Sequence, residues 1–168
     1  MHLLVDSTPV NVLKSNHNIM WRTLKCINRM ANSKNPIIKD VFAKLASLNS
    51  KHRHDIYIGT ELGSKTNAPE SSSYTRTRLT LDYDNKLGFT DYEIIGHELK
   101  HAYDIEFNLN TNKKDANGTE LDEYWTSNFE NLIRKEEGRP QRTKYGRFKI
   151  PKEEMGNYNL YIPKKKKK

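Results

Sequence analysis

The chain holds a single cysteine, Cys26, among 168 residues. One cysteine excludes an intrachain disulfide, and it excludes a zinc site built on several thiolates. Cys26 lies among Leu24, Ile27 and Met30, so it reads as a buried structural thiol. Long apolar runs are also missing. No stretch approaches the roughly 18 apolar residues that a membrane-spanning helix requires. The first ten residues lack a basic start followed by a long apolar run, so no classical secretory signal is visible. The expectation is a chain that stays cytoplasmic, or one exported by another route or cut from a larger protein. No internal repeat is present. Apolar residues make up only 35% and charged residues 30%. That balance favours a single domain over residues 1–163, with one small core and much solvated loop, rather than two cores.

Charge is abundant, with 29 basic against 21 acidic residues. The formal net charge is +8, but five of those charges form the terminal lysine run 164–168, which leaves +3 on the rest. A short run of like charges repels itself and has nothing to bury, so it is expected to be a disordered tail. The alternatives for the run are a nuclear-localisation-like segment or a patch for nucleic acid or anionic lipid.

Periodicity then orders the chain. Residues 15–31 carry Ile19, Met20, Leu24, Ile27 and Met30 at helical spacing. Asn35-Pro36 reads as a cap followed by proline at the first helical position, with Val41, Phe42, Leu45 and Leu48 on one face. These helices make residues 1–50 a scaffold, with His17 a surface residue and Trp21 and Trp125 core. Residues 55–59 read as a strand with Ile56 and Ile58 on one face, and 60–75 as a polar loop. Leu79 and Leu81 alternate with Arg78, Thr80 and Asp82 over 76–83, the period of a half-buried strand. His52 and His54 are expected at the surface, beside Arg53. Thr90 and Glu93 form a capping box with Phe89 and Ile94 as a hydrophobic staple, so a helix should run from there to about Phe107. Thr119 is expected to cap a further helix with Glu120, Asp122 and Glu123 in its first turn, ended by Gly138 and Pro140. Residues 141–163 read as loop with short strands.

Chemistry concentrates in the first of those two helices. His97-Glu98-Leu99-Lys100-His101 places two histidines four residues apart, on one helix face, where both imidazoles can meet one ion. Glu98 beside them can take a proton from a water whose pKa zinc has lowered. A catalytic zinc needs three protein ligands and an open position. Asp104 is seven residues past His97, about 10 Å along the axis, too far to be the third; it is better placed to accept an imidazole N–H. No further histidine follows at metzincin spacing. The next helix offers Glu120, Glu123 and Glu130, of which Glu123 ranks first because it sits past the fraying end. The plainer alternative is two histidines and a glutamate on a solvated helix face.

The segment 96–104, followed by Glu123, Asn131-Leu132-Ile133-Arg134, Gly138, Arg142 and Tyr145, resembles the effector-type zinc metallopeptidases, the NleD-like gluzincins also found as toxin domains. The likeness spans roughly 55–147, and residues 1–50 match no pattern. It implies an α+β, zincin-like fold, with a small twisted sheet packed on the active-site helix and the catalytic part over 51–150. It implies Zn²⁺ held by His97, His101 and Glu123, with Glu98 as catalytic base. Arg142-Thr143-Lys144-Tyr145 is similar to the oxyanion-stabilising arginine and tyrosine of clostridial-neurotoxin-like gluzincins, a role suited to a phenol or guanidinium. Thr126 stands where the family usually has a small apolar residue. The resemblance implies an endopeptidase acting on a protein or peptide substrate, secreted as an effector or toxin and delivered into a target cell. The competing class is a basic module that binds nucleic acid or acidic surfaces without catalysis, but most excess charge lies in the tail and no nucleic-acid motif is present.

Overall fold

The computed structural model describes residues 2–4, 10–59, 63–69, 73–111 and 113–163, with side chains from residue 18 onward. The lysine run 164–168 lies outside the described residues, as does the side chain of His17. In chain order the elements are β1 (His2–Leu4), α1 (Val10–Ala31), α2 (Pro36–Leu45), β2 (Arg53–Ile58), β3 (Lys65–Asn67), β4 (Tyr74–Leu79), α3 (Leu81–Lys86), α4 (Asp91–Glu106), α5 (Leu121–Glu136), β5 (Lys144–Tyr145) and β6 (Phe148–Lys149), followed by one 3-10 turn, Lys152–Glu154. The architecture is mixed α+β.

Four strands form one sheet in the order β1-β2-β4-β3, with β1 and β4 parallel to β2 and β3 antiparallel to β4. β5 and β6 form a separate hairpin. Because β1 pairs with β2, the first fifty residues contribute a strand to this sheet as well as two scaffold helices. α4 is the hub. It packs on α1, α2, α3, β3, β4 and α5, and Tyr92, Ile95, Leu99, Ala102 and Tyr103 are almost wholly buried along it. Its start is fixed by the expected capping box: Thr90 Oγ1 accepts from Glu93 N at 3.1 Å, and Glu93 Oε2 accepts from Thr90 N at 3.0 Å. α2 begins as expected too, with Asn35 Oδ1 accepting from Ile37 N at 2.9 Å. No helix among the described residues is long and apolar enough to cross a membrane.

Several local expectations are corrected. The strand over 76–83 is β4, and it stops at Leu79. Thr80 then diverts the chain, since its carbonyl accepts from Tyr83 N and Asp84 N at 3.0 and 3.1 Å and so opens α3. Leu81 is buried from a helix, not a strand. The polar loop after β2 contains β3. Thr119 does not cap α5. Its N–H donates to Asp115 Oδ1 at 3.0 Å and its carbonyl accepts from Asp115 N at 2.9 Å, so it closes the preceding loop and Glu120 becomes the cap residue. Trp21 is 54% exposed and is not core. Trp125 is half-buried, donating from Nε1 to Glu154 at 2.5 Å.

His54 is not at the surface either; it is 2% exposed. Ser50 Oγ lies 3.1 Å from its Nε2 and Thr75 Oγ1 2.8 Å from its Nδ1. His52 Nδ1 is 2.9 Å from Glu106 Oε2 at the end of α4. Burial pulls the pKa of His54 down to about 4, although the Glu106 carboxylate acts in the opposite direction. The unfolded chain therefore binds a proton at His54 near pH 6.5 that the folded chain refuses. Stability from this histidine is complete above that pH and is lost as pH falls toward 4. Replacing His54 with Gln should flatten this stretch of the stability–pH curve by an amount of order 1–3 kcal/mol, read from urea titrations between pH 4 and 7.

α5 runs antiparallel to α4. The pairing of Glu93 with Arg134, Gly96 with Ile133 and His101 with Glu123 sets that direction. Gly96 sets the separation: a Cβ there would lie 2.0 Å from Ile133 Cδ1, inside a fully buried contact. Gly96→Ala should gain about 1 kcal/mol in helix propensity and lose about 1–3 kcal/mol to overpacking. The expected net is a modest destabilisation. In an Ile133→Val background, which deletes the obstructing methyl, the same change should become neutral or stabilising. A double-mutant cycle by denaturant unfolding measures this coupling.

Candidate metal centre

α4 and α5 face each other across the histidines. His97 Nε2 lies 3.5 Å from Glu123 Oε2, and His101 Nε2 lies 3.6 Å from the same oxygen. The two imidazoles meet nearly edge to face, with ring centroids 5.0 Å apart. Ligand atoms of His97, His101 and Glu123 all lie within 4.8 Å of one another. These contacts are too long for good hydrogen bonds, and Glu123 Oε2 is a buried oxygen with no hydrogen-bond partner. An orphaned carboxylate oxygen flanked by two imidazole nitrogens calls for a cation. A tetrahedral zinc at about 2.0–2.1 Å from each donor puts neighbouring donors roughly 3.3–3.4 Å apart, close to the spacings found. The donor set, two imidazoles and one carboxylate, also suits zinc. The three side chains therefore fit the group.

The electrostatics of these side chains point the same way. Burial opposes a charge on His97, yet Glu123 and Glu130 outweigh it and raise the imidazole to about 10. Burial likewise works against ionised Glu123, but His101 and His97 hold it well below the usual carboxylate range. Opposite charges thus favour each other at this point, where a cation would be held, and a metal binding there would compete with the proton on His97.

Glu98 is 6% exposed. Burial raises its pKa, against the lowering pull of His97 and His101. Thr66 Oγ1, on β3, donates to its Oε2 at 2.8 Å, lies 3.0 Å from its carbonyl oxygen and 2.9 Å from Thr77 Oγ1. The strand thus aims the carboxylate. No local pattern marks Thr66, because its role depends on β3 lying over α4.

Glu130 takes the place expected of Asp104. Its Oε2 lies 3.4 Å from His97 Nδ1 and accepts from Arg142 Nη1 at 2.6 Å, while Oε1 is 3.5 Å from Arg134. A carboxylate on the far nitrogen of a ligand imidazole fixes its tautomer and orientation. Glu130 was legible as the residue two turns beyond Glu123, but only its packing distinguishes support from ligation. Asp104 instead accepts from Lys100 Nζ at 2.5 Å, and both are almost wholly buried. Burial is the main force on each: it lowers Lys100 and raises Asp104 to about 6. Glu120 is half exposed, faces Lys114 at 3.7 Å, and stands outside the triad.

Arg142 and Tyr145 do reach the site. The Tyr145 ring stacks over His97 with centroids 6.5 Å apart and 9° between planes. Burial, then the Glu123 carboxylate, pushes its phenol above the ordinary range, so it stays a donor. Arg142 is engaged by Glu130, and its guanidinium lies 4.9 Å from the Phe89 ring centroid. Asn131 holds the segment, accepting from Arg142 N at 2.6 Å and donating to its carbonyl at 2.8 Å. Trp125 is not among the residues lining either cavity beside the triad.

Compared with family models, curated proteins and solved structures, the chain matches none. The chemistry of this centre is therefore read from its own residues.

Zinc affinity should rank the three glutamates of this region. Glu123→Ala should lose the most. Glu130→Gln should lose about 10- to 100-fold through the loosened His97. Glu120→Ala should change little. Competition with a metal indicator gives the three constants; a dominant loss at Glu120 would place the third ligand on the wrong turn.

Proposed function

We propose that this chain is a zinc-dependent endopeptidase of the gluzincin type, with a zincin-like arrangement, acting on an extended segment of a protein substrate. The observation that carries the reading is the buried, unpartnered Glu123 Oε2 between His97 Nε2 and His101 Nε2, with the Glu98 carboxylate in the same cleft. His97, His101 and Glu123 would hold the zinc. Bound there, zinc supplies Lewis-acid polarisation of a carbonyl and a lowered pKa for water.

The protein's own groups supply the rest. Glu98, aimed by Thr66, takes a proton from the attacking water and passes it to the leaving amine. A carboxylate with a burial-raised pKa is suited to both halves of that exchange. Tyr145, protonated and stacked over His97, donates toward the oxygen on which negative charge develops. Arg142 acts first through Glu130, whose orientation it fixes. β3 is an edge strand of the sheet and carries Thr66 beside Glu98, so an extended substrate would add to that edge by backbone pairing. Delivery as a secreted effector or toxin domain is proposed from the sequence resemblance alone.

Glu98→Gln separates base from ligand. Zinc content should stay at one per chain, while kcat on a cleavable peptide falls about 10²- to 10⁴-fold. Metal analysis and peptide turnover on the same preparation test this, and undiminished turnover in the variant would remove Glu98 from the mechanism.

A further inference from the structure

A cavity of about 180 Å³ opens beside His97 and Glu98 and is walled by Phe89, Ile94, Asp84 and Arg142. Asp84 is only 8% exposed. All its hydrogen bonds fall on one oxygen: Oδ2 accepts from Ser64 N at 3.0 Å, Ser64 Oγ at 2.5 Å and Thr80 Oγ1 at 3.3 Å. Oδ1 receives none from the described residues and is left to the cavity that Asp84 lines. The cavity therefore combines an apolar wall with a fixed carboxylate oxygen that lacks a donor. Of its charged lining groups, Glu130 and Arg142 neutralise each other at 2.6 Å, and His97 and Glu98 belong to the centre described above, so Asp84 is the carboxylate left to a substrate side chain.

We propose that this cavity is a side-chain subsite selecting lysine or arginine next to the scissile bond. The methylene stem lies against Phe89 and Ile94, and the ammonium or guanidinium donates to Asp84 Oδ1. A neutral side chain of the same length would cover the carboxylate without giving it a donor, the situation in which polar sites discriminate most strongly. An acidic side chain would face the Asp84 carboxylate with no donor between them. The inference rests on the peptidase reading above and adds a substrate class to it.

The test begins with the zinc-loaded protein and a mixture of unstructured peptides, with cleavage positions mapped by mass spectrometry. Lys or Arg should recur at one fixed position flanking the cut bond. A matched peptide pair, lysine or norleucine at that position, should then differ in kcat/KM by about tenfold or more. In Asp84→Asn that ratio should fall toward one; being a ratio, it cancels losses common to both peptides. Binding of the same pair to Glu98→Gln should show the same preference without turnover. Cleavage with no basic residue at a fixed flanking position overturns the subsite alone, and so does an Asp84→Asn variant that keeps the full ratio. If that variant does not fold, the parent's cleavage map and peptide ratio still decide. A zinc-loaded parent that cuts no peptide overturns the peptidase reading and the subsite with it.

Discussion

The contact between α4 and α5 at Gly96 is the constraint on which the rest depends. With no side chain at that point, Ile133 closes onto the backbone of α4. The two helices are then near enough for short carboxylate side chains on α5 to reach imidazoles on α4. Glu123 and Glu130 are seven residues apart, about two turns of one face. The same approach delivers one to the nitrogens that face the cleft and the other to the far nitrogen of His97. A wider separation would leave the glutamates and histidines as unrelated surface charges.

Around that contact the protein places opposite charges where neither is comfortable alone. Two imidazoles share an orphaned carboxylate oxygen, and a second carboxylate is held by Arg142. Removing such groups from water is costly, and their mutual attraction offsets that cost only where the set is complete. A cation between the imidazoles and Glu123 would complete the set. Lys100 and Asp104, also buried, pair with each other through Asp104 Oδ1.

The ends of α4 show the same economy of position. At the start, Glu93 serves both the capping box and Arg139. At the finish, Glu106 accepts from Lys51 N and His52 N at 2.6 and 3.0 Å and ties the helix to the beginning of β2. Past β6, the Tyr161 ring stacks on Phe107 and Tyr161 N donates to the Tyr103 hydroxyl at 3.1 Å, so the chain as far as Tyr161 packs back onto α4. A helix pinned at both ends and buried along its length keeps its histidines in one orientation, which a metal site requires.

Local rules were enough for some of this. Thr90 and Glu93 set the start of α4, Asn35-Pro36 set the start of α2, and the four-residue spacing of His97 and His101 put both on one face. Each depends only on residues within a turn or two, and local hydrogen bonds and helical periodicity act at that range. The same reasoning misplaced the end of β4, the cap of α5, Trp21, His54 and Asp104, because partners distant in sequence decide those. Thr119 was drawn into the Asp115 loop, His54 was covered by Thr75 and Ser50, and Asp104 was claimed by Lys100 once both were buried. The sequence by itself determined that two histidines and a glutamate would share a helix. Position in the helix ranked Glu123 first as the third partner of the histidines, but only the tertiary structure decided that Glu130 and not Asp104 lies against His97, and that Thr66 and Asp84 line the cleft. Those assignments depend on how closely α5 and β3 pack against α4, and that distance is set by side-chain volume across the interface, which no local spacing encodes.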